Sequence, residues 1–429
     1  MLPGTPVLRD LMRYGMALVG PVGVAGTQFL LSIVLLRTLE PATFGRYSFL
    51  LIVAQMSWAL WSALFCAPLP LLLAGGPLPS EGRPDDPREA MLRSLTAASL
   101  LGAVAAMPVF AALAWMLGDG WRTALLFGAF GGLAIVRFFG RALAYAVHRP
   151  LRAMASDIAY GLGLLGGIGV IWFEHAPAAD TAYAALAVAA GAGLLPFVRG
   201  DPRRIRQLAD PRRLVAYPTV WREHGRWSLL GVATTEMTAN VHAYLITLFL
   251  GPGAFAPLAA SALLIRPIAV ATNAIVEYER PRLTQALQPG QRVATQRATR
   301  LFRAILIAGW VAVAAANAAI LVVSPGLIYP GSYDRAHLAV ATTLWLATAL
   351  LRILSVPEGT LLQAIGRFRP LAMASLWSSA VSLASVALLL IVAAPIWSIL
   401  GILAGEAVVT ILVLREGRRA LLPASGTAA

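Results

Sequence analysis

Apolar residues in this chain come in long stretches separated by short breaks rich in Arg, Pro and Gly. Read in windows long enough to cross roughly 30 Å of hydrocarbon at about 1.5 Å per residue, the pattern predicts spans at 14–36, 47–72, 92–117, 122–147, 152–173 and 181–198. Six more follow at 226–250, 254–277, 301–323, 338–361, 370–393 and 396–414. The expected fold is all-α integral membrane, with about 12 transmembrane helices in two six-helix lobes. Residues 1–198 form the first lobe, 199–225 a basic cytoplasmic linker, and 226–429 the second lobe with a short cytoplasmic tail. The spans are crowded with small residues, as in Gly161-Leu162-Gly163 and Gly166-Gly167-Ile168-Gly169, which let helices approach closely in lipid. Pro108, Pro267 and Pro357 fall inside spans and are candidate hinges.

The two halves share a pattern. Leu39-Glu40-Pro41-Ala42-Thr43-Phe44-Gly45 and Leu250-Gly251-Pro252-Gly253-Ala254-Phe255-Ala256 lie 211 residues apart, each between the first two spans of its half. Pro70 and Pro281 keep the same offset. The register predicts a parallel internal repeat, the construction of many secondary transporters. At that offset Gln55 matches Arg266, whereas Glu236 and His242 match the uncharged Ala25 and Leu31.

Composition agrees with a bilayer: 59% of residues are hydrophobic and only 13% charged, too little polar surface to keep a chain of this size dispersed in water. All 34 basic residues are arginine. With a cytoplasmic N-terminus, 26 of them fall on the inner side. Only Arg37, Arg46, Arg122 and Arg335 fall outside, and four lie within spans. The positive-inside rule therefore places both termini in the cytoplasm and both copies of the repeated turn on the outer side. A net charge of +14 raises nucleic acid as a partner, but the arginines flank apolar spans and face anionic lipid headgroups instead. The densest cluster, Arg199 to Arg226, marks the linker. The N-terminal apolar stretch is too long for a signal peptide and lacks a small-residue cleavage site.

Several chemistries are excluded. The longest outward loop, about residues 324–337, is too short for a folded catalytic domain, so no enzyme is expected. Cys66 is the sole cysteine, and the five histidines have no ligand spacing, so no metal site is expected. A chain without lysine cannot carry a Gly-x-x-x-x-Gly-Lys-Ser/Thr nucleotide loop, and no cofactor is expected beyond a coupling H+ or Na+.

Ionisable groups at membrane depth are costly and normally face a cavity or a partner. Arg137 and Arg141, four residues apart on the fourth span, either line a cavity or snorkel to the inner headgroups. Arg266, followed by Pro267, is too central to snorkel, and Arg352 lies deep in the tenth span. With Gln55, these arginines form a candidate cavity set in which guanidinium forks grip a phosphate-like anion. Glu236, Asn240 one turn later, His242 and Glu406 are the candidates for binding a coupling proton or sodium ion. The competing reading pairs Glu236 with Arg266, and Asp157 with Arg152.

Two blocks resemble a known family. The first runs Leu36-Arg37-Thr38-Leu39-Glu40-Pro41-Ala42-Thr43-Phe44-Gly45-Arg46-Tyr47-Ser48 and on through Gln55 to Ala63-Leu64-Phe65-Cys66-Ala67-Pro68-Leu69. The second runs Gly225-Arg226-Trp227-Ser228-Leu229-Leu230-Gly231 through Arg266-Pro267 to Glu279-Arg280-Pro281-Arg282-Leu283. With them the chain resembles the polysaccharide flippases of the multidrug/oligosaccharidyl-lipid/polysaccharide exporter (MOP) superfamily. That resemblance implies a multi-pass protein of the bacterial inner membrane. It would move an isoprenoid pyrophosphate-linked oligosaccharide to the outer leaflet for surface polysaccharide synthesis, its lobes rocking around a cationic cavity and working beside a polysaccharide polymerase complex. The first span lacks the arginines of cell-wall precursor flippases and the acid often found in multidrug exporters. No Asp-Arg-Gly-Arg-like loop of the major facilitator type occurs in 75–89. The alternatives are a cation-coupled multidrug or small-molecule exporter of the same superfamily, or a non-transport membrane subunit of a polysaccharide-assembly complex.

Overall fold

Five of the helices begin on proline, where a missing N–H costs nothing and a fixed φ suits the first turn. The computed structural model describes residues 6–69, 87–147, 149–173, 177–198, 214, 217–222, 226–273, 275–276, 292–365 and 367–421. Within these, twelve helices of twelve or more residues follow in order: α1 (Pro6–Thr38), α2 (Pro41–Trp61), α3 (Pro87–Met116), α4 (Trp121–Ala146), α5 (Pro150–Phe173) and α6 (Ala178–Val198). The second set is α7 (Arg226–Leu250), α8 (Pro252–Leu263), α9 (Arg292–Val323), α10 (Arg335–Ala364), α11 (Phe368–Val392) and α12 (Ser398–Leu421). Each predicted span has its helix. Nine of those described, α2 to α6 and α9 to α12, are individually long and apolar enough to cross a membrane. The Pro70–Pro281 match, most of the 199–225 linker and the end of the second family-like block lie outside the described residues.

The eighth span corrects the expectation of one continuous helix over 254–277. It stops at Leu263, turns, and resumes as Arg266–Asn273 bent by 54°. Pro267 explains the break, because it has no N–H to give the carbonyl one turn back and its ring crowds that turn. Asn317 on α9 donates Nδ2 to the Leu264 carbonyl at 3.4 Å. A neighbouring side chain thus satisfies a backbone group freed at membrane depth.

Packing divides the chain into two compact units, Met1–Leu39 with Leu50–Ala233, and Glu40–Phe49 with Thr234–Ala429. The unit boundary differs from the sequence expectation: the first turns of α2 group with the C-terminal residues. In the first unit α3 packs on α4, α4 on α6 and α5 on α6. In the second α9 packs on α10, α10 on α12 and α11 on α12, the same order, as a parallel repeat requires. Lipid supplies no hydrophobic drive between helices, so close contact carries the packing. A Cβ on Gly163 of α5 would lie 2.8 Å from the Ala189 backbone of α6, and Gly167 meets Ala185 in the same way. Gly166 and Gly169 have open space instead, so only half of that glycine run serves helix packing.

Asp334 caps α10, accepting a hydrogen bond from the Ala336 amide at 3.1 Å and pairing with His337. The Ala336 amide, then His337, hold this carboxyl below its ordinary 3.8. The cap therefore contributes fully above about pH 4 and is lost as pH falls through the lowered value. Hydrogen exchange at the Ala336 amide is expected to accelerate over that range beyond the intrinsic trend, and Asp334→Asn, which still caps, should remove the dependence.

Candidate functional site

Each unit holds a cluster of charged side chains within its helices. In the second, Arg352 of α10 donates Nε to Glu406 Oε1 of α12 at 3.0 Å, and a terminal guanidinium nitrogen bonds the same oxygen. Glu236 of α7 is half-buried, and Asn240 one turn later donates Nδ2 to its Oε2 at 3.2 Å. The charge of Arg352 acts on Glu236 as well as on Glu406. Three helices thus gather Glu236, Asn240, Arg352 and Glu406. With both carboxylates ionised the group has two negative charges against one positive, an excess suited to a bound cation.

The competing reading that pairs Glu236 with Arg266 does not hold, since the arginine acting on Glu236 is Arg352. It also separates His242 from its expected companions. Six residues past Glu236, its ring turns to another side of α7, 5.9 Å from the Phe255 ring and 5.2 Å from that of Trp345. His242 is buried, and its Nδ1 has no hydrogen-bond partner. Arg266 sits half-buried at the start of the resumed helix after the α8 break, where Tyr47 acts on it electrostatically. Gln55 is an exposed residue of α2 in the first unit.

The first unit's cluster has the opposite balance. Asp157 of α5 pairs with both arginines of α4, with Arg137 at 2.5 Å and Arg141 at 2.8 Å, and not with Arg152 as in the competing reading of the sequence. Arg137 is only 7% exposed, so it does not snorkel. Its Nε donates to Ser156 Oγ at 3.1 Å, and its guanidinium carbon lies 4.2 Å from the centre of the Tyr160 ring. Gln28 of α1 donates to the Tyr160 hydroxyl at 3.0 Å. Two glycines make room: a Cβ on Gly193 would lie 2.6 Å from Arg137 Nε, and one on Gly20 would lie 2.5 Å from Asp157 Oδ2. Two guanidiniums against one carboxylate leave a positive excess.

One pair escapes a reading of the sequence. Arg303 of α9 bonds Glu358 of α10, whose side chain also presses on Gly417 of α12. Its signal was an acid placed directly after Pro357 in a span. A second signal lay in the repeat: Arg141 and Arg352 obey the 211-residue offset. Their acids do not correspond, since Asp157 comes from α5 and Glu406 from α12.

No family model matches the sequence, and no curated protein matches it either. Solved structures do. The chain is similar to a multidrug resistance MATE family transporter of the MOP superfamily in its inward-facing conformation, at 15% identity over 96% of this chain and 100% of that one, with a TM-score of 0.69. For an outward-facing conformation of such a transporter the values are 14%, 96%, 94% and 0.60. A MOP superfamily transporter from Pyrococcus furiosus, described as having a binding pocket of reverse polarity that suggests a different function, gives 15%, 94%, 95% and 0.59. The chain has the MOP transporter fold and is a multi-pass membrane protein. At such identities the likeness shows the fold alone.

Proposed function

We propose that the chain is an alternating-access exporter of small organic molecules, coupled to H+ or Na+ through Glu236. It would reside in the bacterial inner membrane with both termini in the cytoplasm. The observation that carries this reading is the negative excess around Glu236. Arg352 is engaged by Glu406, so the Glu236 carboxylate retains charge for an incoming cation, with Asn240 holding it in place. Binding a proton or sodium ion there cancels the attraction of Glu236 for Arg352. The helices α7, α10 and α12 then experience two different electrostatic states, which is the differential a coupling ion needs to bias a conformational equilibrium. Further support comes from the fold, shared with multidrug transporters of the superfamily. Cells expressing the chain are expected to accumulate less ethidium than cells without it, and equal accumulation argues against small-molecule export.

A second reading, translocation of an isoprenoid pyrophosphate-linked oligosaccharide beside a polysaccharide polymerase complex, is favoured by one electrostatic interaction. Tyr47 belongs to the first family-like block and Arg266 to the second, and the two groups act on each other. Arg137 and Arg141, with their positive excess, would then serve the anionic pyrophosphate. Under this reading Arg266→Ala abolishes surface polysaccharide, with lipid-linked intermediates accumulating inside and the protein level unchanged. Normal polysaccharide in that variant, together with ethidium efflux, leaves the exporter reading alone.

A further inference from the structure

Several buried polar atoms of the second unit have no hydrogen-bond partner, and five of them follow one another from α7 towards the end of the protein that the arginine distribution places outside. Innermost is Nδ1 of His242 on α7. Its ring lies 5.2 Å from that of Trp345 on α10, whose Nε1 is the second atom. Thr342, one turn outward on α10, carries the third, Oγ1. Its side chain is close enough to the Tyr329 hydroxyl, the fourth, to act on it, although neither oxygen has a well-formed hydrogen bond. The fifth is the hydroxyl of Tyr333, in the same connection between α9 and α10. All of these residues except Trp345 are more than nine-tenths buried. Tyr333 also belongs to the wall of a pocket of about 230 Å³, with Pro41, Pro257, Leu258, Pro395 and Ile396. That is room for several water molecules. Exposed Asp334 and His337, paired with each other, line it as well. The pocket and the five groups lie within one compact unit.

Buried polar groups are almost always bonded, to protein or to internal water. We propose that water in the pocket and along these five groups carries protons inward to His242, which relays them to Glu236, so that the coupling ion is H+. The proposal rests on the reading of the chain as an exporter coupled through Glu236. The hydroxyls of Tyr333, Tyr329 and Thr342 each donate and accept, as a proton path requires, while the Trp345 indole only donates and so fixes a water beside the imidazole. A hard metal ion takes oxygen ligands, and the inner end of the path offers it an indole N–H and an imidazole instead. At His242 an N–H bond forms on one ring nitrogen and the N–H bond on the other breaks, so the imidazole passes a proton on and ends neutral. The imidazolium formed in passing has the rings of Phe255 and Trp345 at 5.9 and 5.2 Å, within the roughly 6 Å over which an aromatic ring attracts a cation. Its remaining neighbours Val241, Val386 and Ile402 are apolar, and among the described residues no charged group acts on it. The proton is therefore not trapped there. Its destination is the Glu236 carboxylate, about 9 Å further in along the α7 axis.

One test needs no transport. In the purified full chain with nitrogen-15-labelled tryptophan, the indole N–H of Trp345, identified by its loss in Trp345→Phe, is expected to exchange with solvent faster than the backbone amides of α7 around His242. Ala394→Trp, which fills the pocket from an exposed position of its wall, should slow that exchange by about fivefold or more. A protected indole, or exchange that the filled pocket leaves unchanged, overturns the path. The second test uses liposomes. His242→Phe keeps a ring beside Phe255 and Trp345 but carries no proton. It is expected to reduce ethidium movement driven by a pH gradient by about tenfold or more, while ethidium exchange without a gradient continues at the wild-type rate. His242→Gln, which keeps hydrogen bonding but cannot relay, should show the same split. Full driven movement in these variants, equal loss of driven movement and exchange, or wild-type movement that follows sodium and ignores pH overturns the relay. Rapid indole exchange that the filled pocket slows, in a chain that moves no ethidium, supports the water path and counts against the exporter reading.

Discussion

Glu236→Gln is expected to reduce ion-driven ethidium efflux by about tenfold or more while the amount of folded protein stays at the wild-type level. Gln keeps the shape of Glu, and its amide oxygen still accepts from Asn240 Nδ2, so α7 keeps its packing and that hydrogen bond. Arg352 keeps its partner Glu406 and is not stranded. What disappears is the surplus negative charge, and with it the difference in cation affinity that biases one conformation over another. Glu406→Gln is the informative contrast. It deprives Arg352 of its hydrogen-bonded anion, so its loss of efflux should come with a loss of extractable folded protein. Equal behaviour of the two variants contradicts the distinct roles assigned to the two acids.

The second large effect is structural. Asp157→Asn is expected to cost about 3–5 kcal/mol, because it leaves Arg137 buried without its charge partner and Arg141 half-buried beside it. Against a total stability of roughly 5–15 kcal/mol, that is enough to remove most folded protein at growth temperature. Size-exclusion of detergent extracts should show aggregate in place of a monodisperse peak. Adding Arg137→Met should restore much of the peak, since the remaining Arg141 is less enclosed and the buried unpaired charge is gone. If Asp157→Asn alone runs as wild type, the cluster is not what holds α4 to α5.

Much of the helical order was legible because hydrocarbon thickness sets span length and lipid excludes polar backbone, so a hydropathy pattern alone locates helices. The parallel repeat was legible from the spacing of two prolines and two phenylalanines. The pairing of charges was not. Asp157 lies five residues from Arg152 along the chain, yet its partners sit 16 and 20 residues away on α4, because helix adjacency decides which groups meet. Glu236 followed the same rule, taking its arginine from α10 and not from the eighth span. With the ninth span drawn from residue 301, Arg303 falls at its inner edge and counts with the inner-side arginines. The helix begins at Arg292, which carries Arg303 a turn or more inside it and beside Glu358. The break in α8 was only half legible: Pro267 signalled a kink, but the donation from Asn317 to a freed carbonyl depends on which helix lies alongside.

The most direct test of cation-coupled export uses the purified full chain in liposomes loaded with ethidium, with a pH gradient, a sodium gradient or neither imposed across the membrane. Dye movement is expected to follow one of the two gradients, to vanish when that gradient is collapsed, and to be absent with Glu236→Gln. Dye movement unaffected by both gradients, or retained in full by Glu236→Gln, would contradict it.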